Sequence, residues 1–546
     1  MSSTLKEVGV IIGEASSNEF YFSSKPGEMP SRWEYLLAYS EETVDGKPKQ
    51  VEVVAQVERV ISASQALTKE LDFEIIHKII EAGLADSKVW GKARVLGYLS
   101  GTGEPQQPKK AVMPGKPVYI APAELLEKFY SYPENEAIKV GTLITRSEVP
   151  VSLSIRGFRR HLAVIAQTGS GKTYLAGIIA EELLSKGGTI VMLDPHADYV
   201  FLSRKADGKR HELSDRITVF RNPASTGRYT EADVGKVEPY EICFSDLDSD
   251  EICLISGISK TYRNIASGLE KALELLRLDK DVFQPEDLLE KLENAGQWNI
   301  PNMDSKVVSG AKSAVKYLRR LVKMRVFTSA STNINALLRP MHLSVVDLSG
   351  LDDEVSDYIA FKILSDVYEK GATGEFEYPV FVFVEEAHRF IPASGVTHSG
   401  RIIKKIAAEG RKFGVFLVAI TQRPSKIHPD ALSQCNSQMI MRITNPEDQK
   451  AIAQSSERLG KTLLDDLPGL NTGEAVIVGE MTRAPIMARI GKRRTREGGS
   501  DIDIVGKLKD AVQQAKQETV ENESQRLRND IKGFMSPAGE EKKGNG

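Results

Sequence analysis

The stretch VIAQTGSGKTYL, residues 164–175, constrains the fold of this chain more than any other. An apolar run leads into it and a glycine-rich turn fills it. A helical pattern leaves it, with Leu175, Ile178, Ile179, Leu183 and Leu184 on one face. Strand, loop and helix in that order aim backbone N–H groups and the positive end of the helix dipole at one point, where an anion binds. The pattern G-x-x-x-x-G-K-[ST] describes such phosphate loops, the Lys reaching the β- and γ-phosphates and the hydroxyl residue the Mg2+. Lys172 and Thr173 take those two places, and Gln167, Thr168, Gly169, Ser170, Gly171 and Tyr174 complete the cradle for ATP. Ala166 stands where the pattern has its first glycine, a change that is tolerated if φ stays negative there.

A phosphate loop needs acids to act on what it holds. PVFVFVEEAHRF, residues 379–390, is an apolar run ending in two of them. Glu385 is placed for Mg2+ or its waters, and Glu386 as the general base that polarises an attacking water. Gln422 follows the apolar run VFLVAI (415–420), where a polar side chain can sense the γ-phosphate or position water. Asp194 closes TIVMLD (189–194) and is a further candidate to support Mg2+. His196 and Asp198, in the turn after it, read equally well as hydrogen-bonding loop residues.

Around these motifs the texture of the chain changes twice. Residues 1–150 read as short β-branched and aromatic strands broken by Gly, Pro and Ser, with one amphipathic helix at FEIIHKIIEA (73–82). A small barrel or sandwich suits them. From His161, near-continuous apolar strands alternate with helices, as in a parallel sheet covered on both faces. The expectation is an α/β, RecA-like P-loop ATPase core over 151–244 and 339–490, with added C-terminal strands at 438–443, 474–479 and 484–490. Residues 245–338 read as a helical insertion, and 491–546 as a basic segment with a partly disordered tail ending in GEEKKGNG. The net charge is −3, so a nucleic acid would have to meet a local patch or channel rather than a global basic field. Three cysteines without metal spacing suit a reducing cytoplasm. No apolar run approaches the roughly 20 residues of a membrane span, and MSSTLKEVGV lacks a secretory pattern.

AQTGSGKT, LDPHADY, VVDLSGL, VEEAH, AAEGRKFGVFLVAITQRPS and LPGLNTGEAVIVGEMTRAPIMARI, in this order, resemble the HerA-type DNA translocases of the HerA–FtsK superfamily. The likeness extends over nearly the whole chain and includes a β-rich N-terminal domain similar to that family's HAS barrel. It implies a hexameric ring that hydrolyses ATP between subunits and pumps duplex DNA through a central channel. It also implies work with a NurA-type nuclease in end resection during double-strand break repair, alongside Mre11–Rad50. By motif matching, Arg411 in EGRKFG resembles the arginine finger offered to a neighbour's ATP, and Arg160 a second arginine at the nucleotide. Arg489 and Ile490, closing the last strand, are implied to return beside the pocket. From the residues alone, Arg411 reads as readily as a cation at a helix end.

Translocation needs contacts with phosphates that ignore sequence. Arg401, Lys404 and Lys405, after the loop IPASGVTHSG, are the first candidates. Lys492, Arg493, Arg494 and Arg496 form a denser basic run. A solvated charged face explains either group equally well. Two rival functions share the motifs: a conjugative or secretion-type DNA-pumping ATPase, and an ATP-switched assembly protein.

Overall fold

The computed structural model describes residues 5–44, 46–259, 261–298, 300–456, 458–498 and 504–535. They fall into two compact units, 1–498 and 499–546.

The first strands alternate inward and outward side chains. Val8 and Ile11 point inward from Glu7–Ala15, and Phe20 and Phe22 from Glu19–Ser24. Such alternation buries one face of an antiparallel sheet. Here the sheet closes on itself, because Glu19–Ser24 pairs both with Glu7–Ala15 and with Lys88–Leu99. The result is a barrel filled by Phe20, Phe22, Leu36, Val53, Ala55, Val57 and Val118. It ends near Pro117–Ile120, earlier than the sequence boundary at 150. The following hairpin, Ala137–Leu143 and Arg146–Ser154, pairs instead with Ile486–Ile490 and becomes the antiparallel edge of the next sheet. That edge joins residues far apart in the chain, so local sequence pattern does not reveal it.

The second sheet has twelve strands. In spatial order, Val237–Pro239, Ile217–Arg221, Leu343–Asp347, Thr189–Asp194, Val380–Val384, Val415–Thr421, Leu162–Ile165 and Ser437–Ile440 run parallel. Glu474–Val478, Ile486–Ile490 and the hairpin continue it antiparallel. Val415–Thr421 thus lies between the strand that enters the phosphate loop and the acidic strand.

Successive residues of each central strand face opposite sides, and both sides are buried. Val164, Ile190, Met192, Phe381 and Phe383 pack with the phosphate-loop helix Lys172–Ser185 and with barrel residues Tyr35, Leu37 and Val54. Ala163, Val191, Leu193, Val382 and Val384 pack with Asp353–Thr373, His398–Glu409 and the helical insertion. No helix among the described residues is long and apolar enough to cross a membrane.

The insertion holds the helices Ser249–Ser256, Arg263–Asp279, Pro285–Glu293 and Ser305–Met324. Its base is closed by Ile242–Cys243 pairing with Phe327–Thr328. Among its described residues, the second unit is the helix Ile504–Met535. The GEEKKGNG tail, residues 539–546, lies outside the described residues.

Arg263–Asp279 and Ser305–Met324 cross so closely that a methyl group on Gly310 would overlap the Asn264 carbonyl, and one on Gly268 the Ala311 backbone nitrogen. Gly310→Ala should therefore force these helices apart and destabilise the protein by about 1–3 kcal/mol, the usual cost of overpacking. Urea denaturation of the variant against the parent measures this.

Candidate nucleotide site

The strand Leu162–Ile165 is fully buried and delivers the chain to the sheet's C-terminal edge. Ala166 is buried there and is not among the residues with positive φ. Its N–H donates to the Thr421 carbonyl of the neighbouring strand at 3.2 Å. The condition for alanine in place of glycine is met. The left-handed backbone falls instead on Gly169 and Gly171, with φ of 75° and 102°, where an L side chain would be strained. Gly171 caps the helix Lys172–Ser185. Ser170 Oγ is buried with no hydrogen-bond partner among the described residues. An orphaned hydroxyl at a helix N-terminus, beside unobstructed space at Gly169, fits a phosphate group. Gln167 Oε1 accepts from the Thr444 backbone and hydroxyl, at 3.2 and 3.0 Å, which holds the start of the loop.

Lys172 is only 6% exposed, and its ammonium donates to Glu385 Oε1 and, at 2.5 Å, to Glu386 Oε1. Tyr199, itself buried, donates its hydroxyl to Glu385 Oε2 at 2.6 Å. Gln422 Nε2 donates to Glu386 Oε1 at 2.6 Å, and the Gln422 carbonyl oxygen accepts from Thr168 Oγ1. His388 Nδ1 lies 3.2 Å from Glu386 Oε2. One ammonium therefore serves two carboxylates, and they respond differently. Burial opposes charge on Lys172, but Glu385 and Glu386 outweigh it and raise its pKa. Burial also opposes charge on Glu386, but His388 and Lys172 bring its carboxyl down to about 2. Glu385, with no exposure, is pushed up by burial despite Lys172 and Tyr199. Glu386 is thus the acid of the pair whose charged form is the more favoured. Its backbone is left-handed, with φ of 48°, a strained state that clusters at functional sites.

The other sequence-assigned residues divide. The last strand does return beside the loop: Ile490 N donates to the Gly473 carbonyl at 2.8 Å, and Gly473 N to the Ser170 carbonyl at 3.2 Å. Arg489 sits next to it, its guanidinium 3.4 Å from Glu474. Asp194 is different. Its Oδ1 accepts from the backbone N–H groups of His196 and Asp198, and its Oδ2 from that of Tyr199. Burial raises its pKa well above the carboxylate range. That carboxyl holds its own turn. No group of three or more His, Cys, Asp or Glu among the described residues could hold a metal on its own. Mg2+ commonly binds through one or two carboxylates plus substrate phosphates. Thr173, half-buried in the first helical turn, and Glu385 are the side chains that fit such a shared site.

Arg411 and Arg160 lie elsewhere. Arg160 precedes the strand Leu162–Ile165 and Arg411 precedes Val415–Thr421, so both sit at the sheet edge opposite the loop. A strand of seven residues at about 3.3 Å each puts roughly 20 Å between Arg411 and its own Gln422 end. Both arginines are exposed, and the side chain of Arg411 makes no hydrogen bond or ion pair among the described residues. Arg401, Lys404 and Lys405 share the exposed face of His398–Glu409, with the Lys405 ammonium 4.3 Å from the Tyr368 ring centroid. The run at 492–496 is divided: Lys492, Arg494 and Arg496 are exposed, and Arg493 is not. Arg493 is buried, Arg494 pairs with Glu181 and Glu182, and Arg496 lies over the Phe201 ring.

The sequence profile described as "helicase HerA, central domain" matches residues 138–367. The DNA double-strand break repair helicase HerA of Pyrococcus furiosus is 30% identical, covering 91% of this chain and 96% of its own length. The chain belongs to the HerA family. The HerA of Saccharolobus solfataricus is 25% identical over 92% of this chain and 95% of its own. Among solved structures, VirB4 of Thermoanaerobacter pseudethanolicus aligns with a TM-score of 0.44 and 15% identity, over 66% of this chain and 98% of its own.

In this HerA-family site, sequence reasoning did not single out Tyr199 and His388. Tyr199 and His388 lay inside quoted motifs, LDPHADY and VEEAH, yet only folding shows that their polar atoms reach Glu385 and Glu386. The charge on Glu386 also sets an acid dependence. Its folded pKa of about 2 lies below the ordinary 4.5, so between those values the unfolded chain binds more protons and stability rises with pH. Its contribution is complete above about pH 4.5 and is lost as the pH falls toward 2. Glu386→Gln should remove that part of the acid limb in thermal unfolding between pH 5 and pH 2.

Proposed function

We propose that the chain is a Mg2+-dependent ATPase that moves along duplex DNA and separates or pumps it, working as a ring-shaped hexamer in the resection of DNA ends with a NurA-type nuclease and Mre11–Rad50. The observation that carries the reading is the convergence of Lys172, Glu385, Glu386 and Gln422 at one end of the sheet, against a glycine loop with an orphaned serine hydroxyl. Membership in a family whose relatives are named double-strand break repair helicases supports the DNA substrate.

Without nucleotide, Lys172 pairs with both acids. Phosphates in the loop present a denser negative charge, and Lys172 turns to them. Glu386 then loses its ammonium partner, its pKa rises from about 2 toward the carboxylate range, and it becomes a better proton acceptor for water. Gln422, already bonded to both Glu386 and Thr168, holds that water in line. Tyr199 keeps Glu385 oriented. Mg2+, when bound, withdraws electron density from the phosphoryl oxygens, and Thr173 and Glu385 are the residues to hold it. Arg411 and Arg160 are too far from their own loop and complete the site of a neighbouring subunit. Arg401, Lys404 and Lys405 meet the DNA phosphates.

ATP turnover should rise when duplex DNA is added and vanish in Lys172→Ala and Glu386→Ala. Turnover unmoved by DNA would remove the translocase reading. Mixing Arg411→Ala with Lys172→Ala subunits should restore part of the activity, because some interfaces then join an intact loop to an intact arginine. Inactivity at every ratio would exclude action between subunits. Charge reversal at Arg401 and Lys404 should weaken DNA binding and flatten its salt dependence, as read by fluorescence anisotropy across a salt series.

A further inference from the structure

Nothing in the motif pattern explains why the helix after the phosphate loop is buried nearly all round. An amphipathic surface helix exposes its polar side, yet Gly177 and Glu181 are buried here together with Leu175, Ile178 and Leu183. The cover is a strap, residues 491–498, that follows the last strand. Glu181 fastens it: its Oε1 accepts from Thr495 N at 2.9 Å and from Thr495 Oγ1 at 2.5 Å, and its Oε2 from Arg494 N at 3.1 Å. At the other end, Gly498 N donates to the Asp198 carbonyl at 3.1 Å, beside Tyr199.

Arg493 is the centre of the strap. Its side chain is 1% exposed. Its Nη1 donates to the Thr173 carbonyl at 3.3 Å, and its backbone N donates to the Tyr174 hydroxyl at 2.7 Å. Nε donates to Thr495 Oγ1 at 3.0 Å and Nη2 to the Arg496 carbonyl at 3.1 Å. The guanidinium occupies the space a side chain at position 177 would fill, since a Cβ on Gly177 would lie 2.5 Å from Arg493 Cζ. A cation near a helix N-terminus opposes the helix dipole, and burial further lowers the Arg493 pKa. Glu181, 3.8 Å away, offsets part of that cost. Bound phosphates at the same helix end would offset more.

We infer that Arg493 is a positioning residue for the nucleotide, clamping Thr173 and Tyr174 in the first turn of the phosphate-loop helix through the gap left by Gly177. The inference rests on the ATP reading of the loop. Of the basic run at 492–496, Arg493 then serves the nucleotide site, while Lys492, Arg494 and Arg496 stay exposed.

The test is equilibrium binding of a non-hydrolysable ATP analogue with Mg2+ to the full-length chain, alongside unliganded melting temperatures. Arg493→Ala should raise Kd tenfold or more, and millimolar guanidinium should restore affinity in it but not in Lys172→Ala. Gly177→Ala should displace the guanidinium and raise Kd in the same way, although alanine strengthens a helix. Its loss of affinity therefore cannot come from a weakened helix, and it decides the matter if Arg493→Ala does not fold. Both variants binding within twofold of the parent, with Lys172→Ala not binding, would overturn the role of Arg493 alone. A parent that fails to bind the analogue would overturn the nucleotide reading and this inference with it.

Discussion

A lysine ammonium buried against two carboxylates organises one end of this sheet. Burying an isolated charge is prohibitive, and removing one partner of a buried pair typically costs about 3–5 kcal/mol. Lys172 can be buried only because Glu385 and Glu386 meet it, and they meet it only because one strand, Val415–Thr421, separates the loop strand from the acidic strand. That same intervening strand ends in Gln422, which bonds to Glu386 and to Thr168 of the loop. Strand order, burial and chemistry are thus one constraint. The cluster is also poised, because the charge that holds it together is the charge that phosphates would compete for.

The parallel run of strands gives the two edges of the sheet different chemistry. Loops leaving the parallel strands lie at the edge that holds the phosphate loop, and residues preceding those strands lie at the opposite edge. Arg160 and Arg411 belong to the second group, so their distance from their own loop follows from topology rather than from side-chain conformation. His161 shows how firmly this edge is built: its Nδ1 accepts from Leu417 N, its Nε2 faces the Ala407 carbonyl, and burial lowers its pKa to about 4, leaving a neutral ring. The two arginines are thus exposed on a firmly packed edge.

Much of the site was legible because its parts are local. GSGKT between an apolar run and a helix, and an apolar run ending in two glutamates, carry their geometry within a dozen residues. The tolerance of Ala166 was also legible, since it depends only on the sign of φ. Asp194 was ambiguous for a local reason of another kind: a carboxylate at a strand end can serve a metal or its own turn, and here the backbone donors of His196, Asp198 and Tyr199 tie it to the turn. The burial of Arg493 within the run at 492–496 was not legible, because its partner Thr173 lies more than 300 residues earlier.

The sequence by itself determined the class of site and the α/β character of its scaffold, because hydrophobic period, loop glycines and strand-end acids act over short range. Tertiary structure decided which charges are spent and which remain. It closed the barrel, moved the hairpin Ala137–Leu143 and Arg146–Ser154 into the ATPase sheet, committed Asp194 to a turn and buried Arg493 on the phosphate-loop helix. A charged side chain takes its meaning from the partners that desolvation forces upon it, and those partners come from anywhere in the chain.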